Sequence, residues 1–252
     1  MSVVFMKHIA CSFTAIAALL MLNSGCAAQQ SAASTAAGFG SQQNATQATG
    51  TETSSTRTSP GLYDPSKATK TAPATFTVVC RTDQGVMHIR CHRDWAPNAA
   101  DRFYNMVDVG YFNNLAIFRA IEGFMFQFGI HGDPRVSSKW AEATIPDDRP
   151  VGRSNKRGTI SFAQTGRPNS RSCQMFINLR DNTGLDVARG GGSAFVPFGE
   201  IIAGHEVMDK IYTGYGENKG DVQGQYKRQG AEYINKKFPN ATKIFSITLK
   251  EE

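Results

Sequence analysis

Ile117-Phe118-Arg119-Ala120-Ile121-Glu122-Gly123-Phe124-Met125-Phe126-Gln127-Phe128-Gly129 is the stretch from which the reading of this chain grows. It sets one fixed cation and one amide among a row of large apolar side chains. A second stretch, Gly158-Thr159-Ile160-Ser161-Phe162-Ala163, leads to Gln174-Met175-Phe176-Ile177-Asn178 and repeats the theme. Together they describe a place that grips an apolar group beside a positioned guanidinium. Such equipment suits holding and twisting a bond better than breaking one.

Working outward, short apolar runs bounded by turn residues recur along the chain. Phe76–Arg81 and Gly85–Cys91 flank Thr82-Asp83-Gln84-Gly85 and read as an opening hairpin. Further strands are expected at 115–121, 124–128, 159–163, 174–178, 196–202 and 243–249. A helix starts near Pro97, with Phe103, Met106 and Val107 at helical spacing, and ends by Gly110. A second amphipathic helix is expected over 206–212, turning Val207, Met208 and Ile211 inward. Many short strands with two helices far apart imply a mainly β fold, a closed antiparallel barrel with capped ends.

The amino-terminal quarter reads differently. Residues 9–22 form an apolar run of 14 residues, too short to span a bilayer and the length of a signal-peptide core. Leu22-Asn23-Ser24-Gly25-Cys26-Ala27-Ala28 follows and resembles a bacterial lipoprotein processing site, with Cys26 as the lipidated residue. Asn23 departs from that pattern, and ordinary cleavage after Ala27 or Ala28 is the alternative. Residues 1–28 are therefore expected to be a signal peptide. Residues 29–72, rich in Ser, Thr, Ala and Gln, are expected to be a disordered linker reaching about 35–40 Å. The domain proper is expected over 73–252, and the chain to be periplasmic or held to a membrane of the cell envelope.

Composition narrows the partners. A formal charge of +6 and a pI near 9.1 permit acidic surfaces, but the cations are scattered and no aromatic-interleaved basic cluster marks a nucleic-acid site. Three of five cysteines, Cys80, Cys91 and Cys173, fall in the domain, so an odd thiol remains in any oxidising compartment. His88 and His92 share a strand face without a further ligand, so no metal is expected. Gly190-Gly191-Gly192 lacks the strand-to-helix setting of a phosphate cradle, and no Gly-x-Ser-x-Gly elbow occurs.

In motif order from Thr75 to Leu249, the domain resembles the cyclophilins, the barrel-type peptidyl-prolyl isomerases. The resemblance rests on Phe118-Arg119, Gly123-Phe124-Met125, Gln127-Phe128-Gly129, Phe162-Ala163, Gln174-Met175-Phe176-Ile177, Leu185-Asp186 and Phe198-Gly199-Glu200. Singly, these residues read as ordinary core or surface positions; their order carries the likeness. The resemblance implies a closed eight-stranded antiparallel barrel capped by two α-helices, with the groove on its outer face. It implies catalytic roles for Arg119, Gln127 and Gln174. It implies peptide contacts from Phe118, Phe124, Met125, Ala163, Gln164, Phe176, Leu185 and Phe195. It further implies a monomer that needs no cofactor and acts on proline-containing peptides and unfolded or surface proteins. A proline-peptide binding module or holdase with little turnover is the alternative.

The chemistry fits those residues. Rotating a peptide bond costs about 18–20 kcal/mol because the nitrogen lone pair is conjugated with the carbonyl. Before proline the two isomers are nearly isoenergetic, so the exchange is slow without being uphill. Arg119 can donate to the nitrogen as it becomes pyramidal, a contact strongest at the twisted state. Three positions depart from the family: Phe118 and Phe195 stand where histidines are common, and Gly184 where many relatives carry a tryptophan. Weak cyclosporin binding is expected from the last. Arg167-Pro168 lengthens the loop after Gly166, and residues 215–239 extend beyond a minimal member.

Overall fold

A computed structural model of the 252-residue chain describes residues 59–188, 191–217 and 220–251. Cys26 and the expected signal peptide lie outside the described residues, as does the linker up to residue 58.

The described chain opens with α1 (Pro60–Tyr63) and a 3-10 turn at Pro65–Lys67. The hairpin follows as β1 (Thr75–Thr82) and β2 (Gly85–His92), then α2 (Pro97–Asp108). Next come β3 (Leu115–Ala116), β4 (Arg119–Ile121), β5 (Met125–Phe128) and α3 (Pro134–Glu142). Strands β6 (Thr159–Phe162) and β7 (Met175–Asn178) precede a 3-10 turn at Thr183–Leu185. The chain closes with β8 (Pro197–Ala203), α4 (His205–Met208), α5 (Val222–Gln229), α6 (Ala231–Lys237) and β9 (Lys243–Leu249).

The nine strands form one antiparallel sheet in the order β3-β9-β1-β2-β8-β6-β7-β5-β4. Its two outermost members, β3 and β4, are separated in sequence only by Ile117 and Phe118, so the sheet's ends are two halves of one interrupted strand. Counted as one, they give the eight positions expected; the single strand foreseen over 115–121 is corrected to this broken pair. Strands β1 and β2 alternate buried and exposed residues, as a half-solvated antiparallel pair should. Strands β5, β6 and β7 are buried at every residue, because the groove wall and its helices cover their outer face. The interior is filled by Phe103, Phe112, Phe126, Phe128, Phe162 and Phe198 among others, so it is core and no channel.

Helix α2 has no side-chain cap of its own. Its first free amides, Asn98 and Ala99, donate to the carboxylate of Asp148, each at 2.9 Å. That long-range cap satisfies donors a helix start otherwise leaves orphaned.

Three expectations on the helices are corrected. The second helix is only α4, His205–Met208; Gly204 starts it in a left-handed turn, and Ile211 is buried from a turn beyond its end. Helices α3, α5 and α6 were not foreseen, so the described chain carries more than two capping helices. Residues 59–72 are ordered and belong to the domain: Trp140 Nε1 donates to Leu62 O at 2.8 Å, and Lys70 N and O bond the Asn105 side chain. The expected boundary at Pro73 overlooked this because Pro60, Pro65 and Ser66 read as linker composition, while their partners lie tens of residues away.

All three domain cysteines are buried and free. The β1–β2 register pairs Cys80 with Met87 and Phe76 with Cys91, which keeps the two thiols well apart. Burial pushes Cys80 up to about 12 and Cys91 well above its usual range, so none is poised to react.

Candidate active site

Register builds the site. Across β4, β5 and β7, Arg119 lies opposite Gln127, and Gln127 opposite Phe176. Directly paired residues in antiparallel strands share a face, so these three side chains form a row. Two residues along, Met125 joins the same face, while Phe126 and Phe128 point into the core. The turn between β4 and β5 closes through Phe124 N to Ile121 O at 3.0 Å, with Gly123 at φ 63°.

Beside this row is an open cavity of about 340 Å³, a size that takes part of a peptide. Arg119, Phe124, Met125, Gln127, Ala163, Gln164, Gln174, Phe176, Leu185 and Phe195 all line it. The structure thus brings together ten of the eleven residues expected at the groove. Phe118 is the exception and is corrected: it is 3 % exposed and faces the other way, edge-on to Tyr226 in a satellite core beneath α5. Phe118 lies in the break between β3 and β4, where strand alternation lapses, and packs with Ala116, Val222 and Tyr226 instead of entering the groove.

The polar side is a relay. Arg119 Nη1 donates to Gln127 Oε1 at 3.0 Å, and Gln127 Nε2 donates to Gln174 Oε1 at 2.9 Å. Gln127 is buried, so this orientation is fixed by packing. Arg119 Nη2 donates to Glu217 Oε2 at 2.7 Å, and Nε is buried without a partner among the described residues. Each terminal nitrogen carries two N–H groups, so one on each is left for a ligand.

The apolar side is held by a buried amide network. Asn155 Nδ2 donates to Asp186 Oδ1 at 2.8 Å, and its Oδ1 accepts from Ser161 and Asn178. Asn182 Nδ2 ties Phe124 O and Asn178 Oδ1 together at 2.8 and 2.7 Å. Leu185 sits in the turn so anchored, and Phe195 N bonds Leu185 O at 3.0 Å. Phe195 meets Phe176 edge-on at 5.4 Å. On the far rim, Arg171 pairs with Asp147, which also accepts from Ser193, and fastens the loop that carries Ser170 and Ser172. Burial lowers Arg171 to about 10.

Sequence reasoning missed Glu217, Gln223, Lys227, Ala141, Thr165, Ser170 and Ser172, which also border this region. Ser170 and Ser172 sit in the loop whose length was noted. Nothing local marks Glu217 or α5, because the extension that bears them has no motif.

A family model described as cyclophilin type peptidyl-prolyl cis-trans isomerase matches residues 77–231, more than half of the chain. The chain belongs to this family. Among relatives of this cyclophilin is a peptidyl-prolyl cis-trans isomerase of Acinetobacter baylyi, 33% identical over 140 residues, covering 56% of this chain and 73% of that protein. Peptidyl-prolyl cis-trans isomerase B of Escherichia coli is 33% identical over 136 residues, covering 53% and 82%. A crystal structure of a Cryptosporidium parvum cyclophilin type peptidyl-prolyl cis-trans isomerase shares the fold, with a TM-score of 0.52 at 21% identity, covering 71% of this cyclophilin and 99% of that chain.

Proposed function

We propose that the groove accelerates cis–trans rotation about X-Pro bonds by stabilising the twisted amide. The observation that carries this reading is the guanidinium of Arg119, fixed by Gln127 at the edge of an open apolar hollow. Phe124, Met125, Phe176, Leu185 and Phe195 form walls that a five-membered ring can enter. Gln174 and the segment Ala163–Gln164 supply polar groups for the peptide backbone around it. When the prolyl nitrogen loses conjugation, it becomes basic, and a remaining Arg119 N–H can meet it. The planar fork of a guanidinium is preorganised for donation, so this donor needs no activating partner. Because the contact grows only at the twisted geometry, it lowers the barrier without deepening the ground state. No bond is made or broken.

Magnetisation-exchange spectroscopy on an Ala-Pro peptide tests this. Wild type should broaden or exchange the cis and trans signals, and Arg119→Ala should lose about a hundredfold or more, as removal of a preorganised donor does elsewhere. Equal catalysis by the variant would defeat the mechanism, and none by wild type would leave only a binding module.

We further propose that the domain works outside the cytoplasm, tethered through Cys26. The apolar run at 9–22 and the small residues around Cys26 support that reading.

A further inference from the structure

Helix α5 belongs to the extension, yet it forms a wall of the groove. Val222 and Tyr226, four residues apart, bury one face against Ala116, Phe118 and Ile130. Gln223 and Lys227, one position further on, form the adjacent face and line the cavity beside Ala141, Ser170 and Ser172. The helix is not free to swing. Ala231 N bonds Gly132 O at 2.9 Å, and a Cβ at Gly230, whose φ is 70°, would meet that same oxygen at 2.2 Å.

The groove lining contains two formal charges, Arg119 and Lys227, and both are positive. Arg119 already has an ion-pair partner in Glu217, which sits in an adjoining hollow. Asp221, which caps the start of the helix that carries Lys227, accepts from Arg228 at 2.7 Å and from Gly224 N at 3.0 Å. Among the described residues, no carboxylate lies within ion-pair distance of Lys227. Asp221 acts on Lys227 only from beyond ion-pair distance, so this partly buried lysine, facing a peptide groove, has an ammonium able to receive an anion.

We infer that Lys227 makes the groove select prolyl peptides that carry an Asp or Glu flanking the X-Pro bond. The inference rests on the isomerase reading and names the substrate class of that site. An acidic flank would place its carboxylate on the ammonium while the proline ring fills the apolar hollow. The benefit should appear in KM, because such a pair forms equally in the ground and twisted states.

The test is a set of Ala-Pro peptides with Glu, Ala or Lys scanned through the flanking positions, assayed at low salt. At one position, the Glu peptide should exceed the Ala peptide in kcat/KM by roughly two- to fivefold, the scale of a partly exposed ion pair. Added salt should erase the difference. Lys227→Glu should invert the order so that the Lys peptide leads, and Lys227→Met should flatten it. Lys236→Glu, the same charge change on exposed ground outside the groove, should alter nothing. No preference for Glu at any position, or a preference that survives Lys227→Glu, would overturn the inference. Should wild type turn over no peptide, the isomerase reading fails separately. Chemical-shift titration of the same peptides would then report whether Lys227 sets the binding order.

Discussion

Arg119 has two neighbours that pull on it for different reasons. Gln127 is neutral and buried, so it orients the guanidinium without weakening its charge. Glu217 is exposed and anionic, and it occupies a donor that a substrate could use. Replacing Glu217 with Gln should therefore raise kcat/KM on a neutral Ala-Pro peptide by roughly twofold, the modest scale of an exposed pair. The gap between the two proteins should close as salt is added. A fall in activity for Glu217→Gln would mean the carboxylate positions the arginine. At this scale, most of the site was legible in the sequence, since Arg119, Gln127 and Gln174 stand in recognisable order. Phe118 was misjudged because it falls in the break between β3 and β4 and is taken up by the packing of α5, which no local motif announces. Glu217 was invisible because its partner lies 98 residues away.

At the level of elements, two helices on the flank have hydrogen bonds whose contributions can be measured one by one. Helix α3 is capped by Asp133, whose carboxylate accepts from Arg135 N at 2.9 Å and meets the Arg135 guanidinium. Arg135 holds that carboxyl down at about 2, against an ordinary 3.8. A lowered acid contributes stability above its unfolded value and loses it as pH falls towards 2. Asp133→Ala should cost about 1 kcal/mol at neutral pH, and urea titrations of the two proteins should converge between about pH 4 and pH 2. Parallel curves across that range would contradict the assignment. Helix α1 depends on Trp140 in the same way. A chain begun at Pro73 loses the Trp140–Leu62 and Lys70–Asn105 bonds, so it should be less stable by roughly 2–3 kcal/mol at about 1 kcal/mol per hydrogen bond. Equal urea midpoints for chains starting at Ser59 and Pro73 would show the segment to be ornamental. The strands announced themselves through apolar runs and turns. The flanking helices did not, because α5 and α6 are largely polar and take their places from tertiary contacts.

For the whole molecule, the barrel was readable because each motif keeps its order along the chain and register does the rest. Legibility failed at both margins, the amino-terminal strap and the extension, where contacts join residues far apart in sequence. The proposed tether makes a prediction at this scale. The mature protein should begin at Cys26 and carry diacylglycerol mass, and intact-mass spectrometry of the membrane fraction would read it directly. A mature form starting at Gln29 without added mass would remove the anchor and leave the isomerase reading untouched.

The thiols of β1 and β2 impose a hazard on the route to this fold. From Met87, the cross-strand neighbour of Cys80, Cys91 lies four residues along β2, about 13 Å at strand spacing. A disulfide needs the two Cα atoms within roughly 7 Å. Any oxidase that joins Cys80 to Cys91 while the nascent chain is slack therefore locks out the hairpin on which the rest of the sheet is laid. Wherever the chain folds in the presence of an oxidant, the first hairpin must close before the two thiols can be joined.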